Sequence, residues 1–323
     1  MNENMPKTKT YYLLTLDPVH IGIGGARLGR VDLPIVREPG TNLPKIPGTS
    51  LSGPARAYTA MARNKYKWKD ENGEEYYCAG RGGEGGENHC GKTNPACPVC
   101  IPYGFSKGSG NSMQGLAQLF DALILFFPVA SMIGPVWVTS PMAMGGLLND
   151  KFQAPEDGFY PLDENLKIKS SLNFGWIMLK KVERNVNNPT FELDSKIPEM
   201  VRQRSVLVSD KLFSFIVNSN LEVRTSVSID PATGAAESGA LFTYEAIPRG
   251  AILRFEIIYS SGKIFKIGEQ ELKTEENGDV DPAWVRTQVE KGLALFETLG
   301  IGGMNTRGMG RIKVLNLEEQ GGA

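Results

Sequence analysis

Short apolar runs separated by turn-forming residues recur along the chain, and they predict a mixed α+β fold. Five of these runs favour strands: 11–16, 122–130, 136–140, 251–259 and 311–317. One helix is predicted from an N-cap at Thr49 or Ser50 to about Lys65. A second helix is predicted from Asp281, followed by a proline at the first helical position, to about Leu299.

The residues between these elements add a hairpin and two less regular stretches. Runs at 222–229 and 239–247 flank a Pro- and Gly-containing turn and predict a long β-hairpin. Residues 144–176 are rich in Pro and Asp and predict irregular structure, whereas 205–215 fits a short helix or a strand. Without these additions the order is β-α-β-β…β-α-β. That order is close to a ferredoxin-like or RNA-recognition-motif-like core, whose sheet often presents one face to single-stranded RNA.

Composition is that of an ordinary globular protein, because 41% of the 323 residues are hydrophobic and 22% are charged. The formal net charge of -1 argues against a free-standing nucleic-acid binder. However, the first 70 residues hold eleven Lys and Arg against five Asp and Glu. This excess of positive charge fits a surface that contacts nucleic acid, and it also fits a solvated surface with unevenly distributed charge. The most apolar stretch, 119–138, is broken by Asp121 and Pro128, so we expect no membrane contact and a cytoplasmic location.

All four cysteines of the chain fall in one polar, glycine-rich segment, which we interpret as an inserted lobe at 70–112. Cys97 and Cys100 form a CxxC pair, the usual spacing for two thiolates on one zinc ion, and Cys78 and Cys90 can supply the other two ligands. His89 could replace Cys90. A structural zinc site is therefore predicted, with a disulfide or redox pair and unligated thiols as the alternatives.

Motifs of the common hydrolases and nucleotide-binding proteins are absent from the sequence. Only two histidines are present, and His20 is not accompanied by a GxSxG nucleophile motif, a Walker A loop or an HExxH zinc motif. Asp32 follows a glycine-rich loop at 22–29 and lies among arginines, so it could act on a phosphodiester with a metal or by proton transfer. A plain surface acid in a turn is the alternative.

Several longer patterns resemble one family. Near the N-terminus they are Pro18-x-His20-x-Gly22-x-Gly24, Leu28-Gly29-x-x-Asp32-x-Pro34-Ile35-x-Arg37-Glu38 and Pro44-x-Ile46-Pro47-Gly48-x-Ser50-Leu51. Further along they are Asp121-Ala122-x-x-Leu125-Phe126-Phe127-Pro128-Val129, Trp137-Val138-Thr139-Ser140-Pro141, Gly239-Ala240-Leu241-Phe242 with Glu245, and Gly302-Gly303-x-x-Thr306-x-Gly308-x-Gly310. Together they closely resemble the RAMP superfamily, and more narrowly the Cas7-family backbone subunit of Cmr-type (type III-B) CRISPR effector complexes.

The resemblance implies a single RAMP domain over 1–323 with a β-hairpin thumb at 220–248. Such a subunit would polymerise head to tail along a CRISPR guide RNA, together with other type III subunits. It would cut complementary target RNA at regular intervals through Asp32, with Mg²⁺ or Mn²⁺ and with His20 and Glu245 as further catalytic candidates. The residues that would contact RNA are Gly24, Arg27, Arg30, Arg37, Lys45, Ser50, Arg56, Gly303 and Arg307.

Two positions depart from the family pattern. Ser52 and Ala130 stand where the family often has Lys and Arg, so individual contacts to the guide RNA must differ. A zinc lobe is also not typical of the plain Cmr-type subunit. Three other functions stay open: a scaffold that binds RNA without cutting it, a stand-alone RAMP nuclease that processes precursor CRISPR RNA, and an unrelated zinc-dependent enzyme.

Overall fold

The computed structural model describes residues 5–24, 31–80, 89–90, 96–105, 112–145, 154–183, 195–237, 241–267 and 270–318. Over these residues the strands are β1 (Lys7–Thr15), β2 (Lys45–Ile46), β3 (Trp68–Lys69), β4 (Glu75–Tyr76), β5 (Gly104–Phe105), β6 (Met113–Gln114), β7 (Ala117–Leu119), β8 (Ala122–Val129), β9 (Val136–Thr139), β10 (Gly158–Pro161), β11 (Ser171–Phe174), β12 (Ile177–Lys181), β13 (Ser205–Leu207), β14 (Glu222–Ser226), β15 (Phe242–Ala246), β16 (Ile252–Tyr259), β17 (Lys266–Ile267), β18 (Gln270–Glu271) and β19 (Ile312–Val314). The helices are α1 (Gly48–Ala62), α2 (Cys100–Tyr103), α3 (Pro141–Met144), α4 (Glu199–Gln203), α5 (Asp210–Ser219), α6 (Pro282–Ala294) and α7 (Phe296–Leu299).

One mixed sheet organises the described part of the chain. Its strands follow the order β11-β12-β10-β13-β9-β8-β16-β1-β19, with β2 beside β8 and β7 beside β16. The four strands β8, β16, β1 and β19 are antiparallel neighbours, whereas β13 runs parallel to β9. The α+β class predicted from the sequence is therefore confirmed.

Both faces of the central strands are covered, as the period-2 alternation of side chains requires. On β1, Tyr11 and Leu13 belong to the main core, while Tyr12 points into a second cluster around Phe126 on the opposite face. Helices α1 and α6 pack against each other, and this contact needs Gly292, because a Cβ atom there would lie 2.3 Å from the carbonyl oxygen of Ala55.

The two long helices begin in different ways. Asp281 caps α6 as predicted, accepting a hydrogen bond from the Trp284 backbone N–H at 2.7 Å. The predicted side-chain cap of α1 is wrong, because α1 begins at Gly48 after Pro47 and its cap residue makes no side-chain hydrogen bond. Instead the Gly48 N–H donates to Asp121 Oδ1 at 2.8 Å, so an acid from the neighbouring sheet satisfies this free donor.

The segment that follows β9 differs from the prediction. Residues 144–176 are not irregular throughout, because β10 and β11 fall within them and extend the sheet. The ambiguous run at 205–215 contains both candidate structures, first β13 and then α5. Ser209 separates them, since its hydroxyl accepts a hydrogen bond from the Leu212 N–H and caps the helix.

Strands β14 and β15 form the predicted hairpin, a two-stranded ribbon separate from the main sheet. Their antiparallel register runs from the pair Glu222 and Ala246 to the pair Ser226 and Phe242. Gly239 and Ala240, which the sequence assigned to the returning strand, lie outside the described residues. Among the helices of the described part, none combines the length and apolar character needed to cross a membrane.

Candidate functional site

Asp32 lies in a segment that runs alongside β15. The ribbon formed by β14 and β15, from the pair Glu222 and Ala246 to the pair Ser226 and Phe242, is called the hairpin base here. The Leu33 N–H donates to the Thr243 carbonyl at 3.0 Å, and the Glu245 N–H donates to the Leu33 carbonyl at 3.1 Å. These two bonds pair Leu33 with Tyr244 in a parallel β-bridge beside the hairpin. The segment that carries Asp32 is therefore fixed to the hairpin by backbone hydrogen bonds.

The Asp32 carboxylate is exposed and is held from one side. Its Oδ2 accepts hydrogen bonds from the backbone N–H of Thr243 at 2.7 Å and from the Thr243 hydroxyl at 2.9 Å. These bonds, the backbone one first, lower the pKa of Asp32 below the ordinary aspartate value. Both bonds fall on Oδ2, so Thr243 leaves Oδ1 available to a cation or to a hydroxyl of a ligand.

Glu245 and Arg37, a catalytic and an RNA-binding candidate, form an ion pair with each other. Arg37 Nη2 donates to both carboxylate oxygens, at 3.0 and 2.9 Å, and the Ile35 N–H donates to Oε2 at 3.3 Å. Arg37 Nε also donates to Asn218 Oδ1 at 3.1 Å. The two side chains are 12% and 21% exposed, so this pair clamps the Asp32 segment onto β15.

His20 is buried between the hairpin base and the C-terminal glycine-rich loop. Its Nδ1 lies 2.6 Å from the Glu245 carbonyl oxygen, to which it donates, and its ring meets the edge of Tyr244. The His20 carbonyl in turn accepts from the Gly303 N–H at 2.9 Å. Gly302 must be glycine, since its φ is +79° and a Cβ there would lie 2.5 Å from the His20 carbonyl oxygen.

The C-terminal glycine-rich loop completes this region. Tyr244, Ala246 and Met309 form a small buried cluster against which Leu33 from the Asp32 segment also packs. Arg307 is exposed, lies 5.8 Å above the Phe242 ring and donates to Ser226 Oγ at 3.4 Å. The structure thus brings Asp32, His20, Glu245, Arg37, Gly303 and Arg307 to one region at the hairpin base.

Of the other RNA-binding candidates, some lie within the described residues and two lie outside them. Lys45 forms an ion pair with Asp121 near the start of α1, and Ser50 lies in the first turn of that helix. Gly24 is exposed, with a φ of +69°. Arg27 and Arg30 lie outside the described residues.

The four cysteines of the lobe come together in the core. All four are buried, and their sulfur atoms lie within 4.8 Å of one another. Cys78 Sγ is 3.2 Å from Cys90 Sγ and 3.8 Å from Cys97 Sγ, and Cys90 Sγ is 4.0 Å from Cys100 Sγ. Hydrogen bonds from Cys100, Cys90 and Cys97 lower the pKa of the Cys78 thiol. This cluster could hold a metal ion such as zinc.

Arg56, a candidate for RNA contact, links α1 to the cysteine lobe. Its Nε donates to the Cys78 carbonyl at 2.7 Å and its Nη1 to the Gly104 carbonyl at 2.8 Å. Its Nη2 lies 3.5 Å from His89 Nδ1. Among the described residues, the group of sulfur ligands contains Cys90 and does not include His89.

Sequence reasoning missed Thr243 and the anchoring role of Arg56. Thr243 and Asp32 are separated by 211 positions in the chain, and no local motif marks the pair. The strand pairing of the hairpin, combined with the Asp32 segment beside it, is what brings them together. The anchoring role of Arg56 could be found only from the backbone structure of the lobe, because its acceptors are the carbonyls of Cys78 and Gly104.

Comparisons with known proteins identify the family and the fold. A family model described as the RAMP superfamily matches residues 12–313. The chain is 27% identical over 320 residues to the CRISPR system Cmr endoribonuclease Cmr4 of Pyrococcus furiosus, covering 94% of this chain and 93% of that protein. It also resembles a chain of a type III-B Cmr-beta complex bound to cognate target RNA, with a TM-score of 0.63, 14% identity and 96% of each chain covered.

A second solved structure, oligomeric Cmr4 from Pyrococcus furiosus, is similar with a TM-score of 0.54 and 19% identity. That match covers 97% of this chain and 100% of the other. At such identities the structural likeness establishes the fold, and the family assignment rests on the family model.

Proposed function

Because this chain belongs to the RAMP superfamily, we propose that it is an RNA-binding backbone subunit of a type III CRISPR effector complex. We further propose that it cuts target RNA paired with the guide RNA through Asp32. The observation that carries this proposal is the exposed Asp32 carboxylate, fixed by Thr243 at the base of the β14–β15 hairpin. The relative named as a Cmr endoribonuclease supports the same activity.

The chemistry that suits this site is attack by the RNA's own 2′-hydroxyl on the adjacent phosphorus. The O2′–P bond forms as the P–O5′ bond breaks, the 2′-hydroxyl proton leaves to a base, and the departing 5′ oxygen takes a proton from water. The products are a 2′,3′-cyclic phosphate and a 5′-hydroxyl. The lowered pKa of Asp32 favours cation binding over proton removal, since a general base works best with a pKa near the working pH.

A divalent cation fits the ligands at this site. Mg²⁺ prefers carboxylate and phosphate oxygens and is commonly held by one or two carboxylates and the substrate. Asp32 would hold it through Oδ1, because Oδ2 is engaged by Thr243. When bound, Mg²⁺ or Mn²⁺ would neutralise charge that develops on the phosphate. Glu245 is committed to Arg37, so we assign it a role in holding the segment.

RNA binding would follow the hairpin base and the segments around it. Arg307 is exposed beside Phe242, and Gly303 presents backbone close to the same region. Contacts of this kind go to the sugar-phosphate backbone, while base pairing with the guide RNA would supply the sequence specificity. The hairpin would act as the thumb that separates successive stretches of guide–target duplex.

Further copies of the chain and other type III subunits are the proposed protein partners. A head-to-tail contact uses two different surfaces of each copy and so builds a filament along the guide RNA. The similarity to a Cmr4 chain that is named as oligomeric supports self-association. Such an assembly also fits the small net charge, because each copy needs only a local basic groove.

Two structural features of the proposal concern the domain itself. The order β8-β16-β1-β19, with α1 and α6 packed together, supports a ferredoxin-like palm. The four buried thiols support a structural zinc ion, because tetrahedral bonds of about 2.3 Å separate sulfur atoms by about 3.8 Å. The zinc would stabilise the lobe at 70–112 and leave no coordination position for a catalytic water.

The proposal is tested with the full-length chain assembled on its guide RNA with its partner subunits. Labelled complementary RNA is added with Mg²⁺ or Mn²⁺, and the wild type is compared with Asp32→Asn. We expect cleavage to fall by about a hundredfold or more while target binding is retained. Asp157→Asn, at an exposed turn, is the matched control and should cut normally.

Three other results would redirect the proposal. Cutting that survives Asp32→Asn would contradict the assignment of Asp32. Tight target binding with no cutting by the wild type would favour the non-catalytic scaffold. Cutting of precursor CRISPR RNA by the isolated subunit would favour a processing nuclease.

A further inference from the structure

We propose that Thr243 is a positioning residue for Asp32, so that the thumb strand β15 sets the orientation of the cutting carboxylate. This inference rests on the proposed cleavage by Asp32. It adds a second residue, on a distant part of the chain, to the machinery of the cut. Thr243 itself need not touch the RNA, because it would act through Asp32.

The hydrogen bonds between the two residues are reciprocal. The Asp32 backbone N–H donates to Thr243 Oγ1 at 3.1 Å, and the Thr243 hydroxyl donates to Asp32 Oδ2 at 2.9 Å. Since Oγ1 already accepts from the Asp32 N–H, its own proton is directed at the carboxylate. The Thr243 N–H adds a third bond to the same oxygen at 2.7 Å. This arrangement restrains rotation of the carboxylate and directs Oδ1 away from Thr243.

The surroundings of Thr243 restrain it as well. Its neighbours on β15, Tyr244 and Glu245, are held by the buried cluster and by the Arg37 ion pair. The Thr243 carbonyl also accepts from the Leu33 N–H at 3.0 Å. A displacement of the hairpin would therefore move Asp32, which couples the seating of the thumb in the RNA duplex to the alignment of the carboxylate.

Rescue by serine gives a readout that separates positioning from mere folding. Serine restores a hydroxyl that can donate to Asp32 Oδ2, as the Thr243 hydroxyl does at 2.9 Å, whereas valine cannot. A slower cut with unchanged target affinity, reversed by serine, is not expected from a general loss of folding.

The test uses Thr243→Val and Thr243→Ser in the full complex, with Thr8→Val on β1 as the matched control. Valine keeps the shape and the backbone donor but removes the hydroxyl, whereas serine restores it. We expect Thr243→Val to reduce the cleavage rate by about tenfold or more with unchanged target affinity. The serine and control variants should match the wild type.

Two results would overturn the inference. If Thr243→Val cuts at the wild-type rate while Asp32→Asn is inactive, Asp32 cuts without help from Thr243, and the proposed function stands. If Asp32→Asn itself cuts normally, both proposals fail together, because there is then no catalytic carboxylate to orient. A Thr243→Val defect that serine does not reverse would also contradict a role for the hydroxyl.

Discussion

The hairpin base and the cysteine cluster are two groups of polar side chains that differ in their exposure to solvent. At the hairpin base, Asp32 is exposed and one of its oxygens is left free by its hydrogen-bond partner. In the lobe, all four sulfur atoms are buried and face one another. An exposed charge held from one side can act on a ligand, whereas an enclosed set of ligands can stabilise a segment without acting on anything outside it.

The comparison also explains why arginine plays different parts in the two regions. Arg37 neutralises Glu245, whereas the Asp32 carboxylate is exposed and is not in an ion pair with Arg37. Arg56 has backbone carbonyls as its main acceptors and connects the lobe to helix α1. Both arginines lie in the basic first part of the chain, and contact of either one with guide RNA stays a prediction.

The largest expected effect comes from removing a ligand of the cysteine cluster. Cys97→Ser should release the metal, and structural zinc sites in small domains contribute on the order of 10 kcal/mol of binding free energy. We expect elemental analysis to find about one zinc ion per wild-type chain and much less in the variant. Hydrogen exchange should show that protection is lost around Cys78 and Cys100. His89→Asn should keep the metal. Full metal content in Cys97→Ser would contradict the site.

A smaller effect is expected at the anchor between the lobe and α1. Arg56→Met keeps the apolar stem but removes the charged donors to the Cys78 and Gly104 carbonyls. We expect a loss of about 2–3 kcal/mol in the free energy of unfolding, measured by urea denaturation, and weaker retention of zinc. Guide-RNA affinity should match that of Arg249→Met, an exposed control. A selective loss of RNA affinity with unchanged stability would instead make Arg56 a guide contact.

The smallest effect concerns the clamp beside Asp32. Arg37→Ala and Glu245→Gln should each lower stability by about 2 kcal/mol, and the double variant should lose little more, because the two side chains act as a pair. A double-mutant cycle by urea denaturation measures this coupling. Glu245→Gln should still cut target RNA far better than Asp32→Asn. Additive losses, or a cleavage defect equal to that of Asp32→Asn, would show that Glu245 acts chemically.

Local patterns predicted the elements whose signals lie within a few residues. Strands β8, β9 and β16 were visible as apolar runs, and Asp281 marked the start of α6. Strands β10 and β11, within 144–176, were missed because the local composition is rich in Pro and Asp. Their strand structure depends on hydrogen bonds to β13 and β12, which lie later in the chain. The start of α1 was misassigned for a similar reason, since its donor is satisfied by Asp121, 73 residues away.

For the candidate site, the sequence predicted which residues belong to it but not what each one does. Asp32, His20 and Glu245 could be named from the family resemblance, and the structure brings all three to the hairpin base. Their individual tasks could not be read from the sequence. Whether a carboxylate is paired, as in Glu245, or presented, as in Asp32, depends on partners 208 and 211 positions away.

The most direct test of the central claim is to map the ends of target-RNA products from complexes assembled with wild-type subunit, with Asp32→Asn subunit, or with mixtures of the two. We predict regularly spaced cuts with 2′,3′-cyclic phosphate ends in the wild type. In mixtures every cut should weaken in proportion to the mutant fraction without moving, and with mutant alone no cut should remain although the target is bound. The same cuts at undiminished rates in the mutant complex would contradict the account.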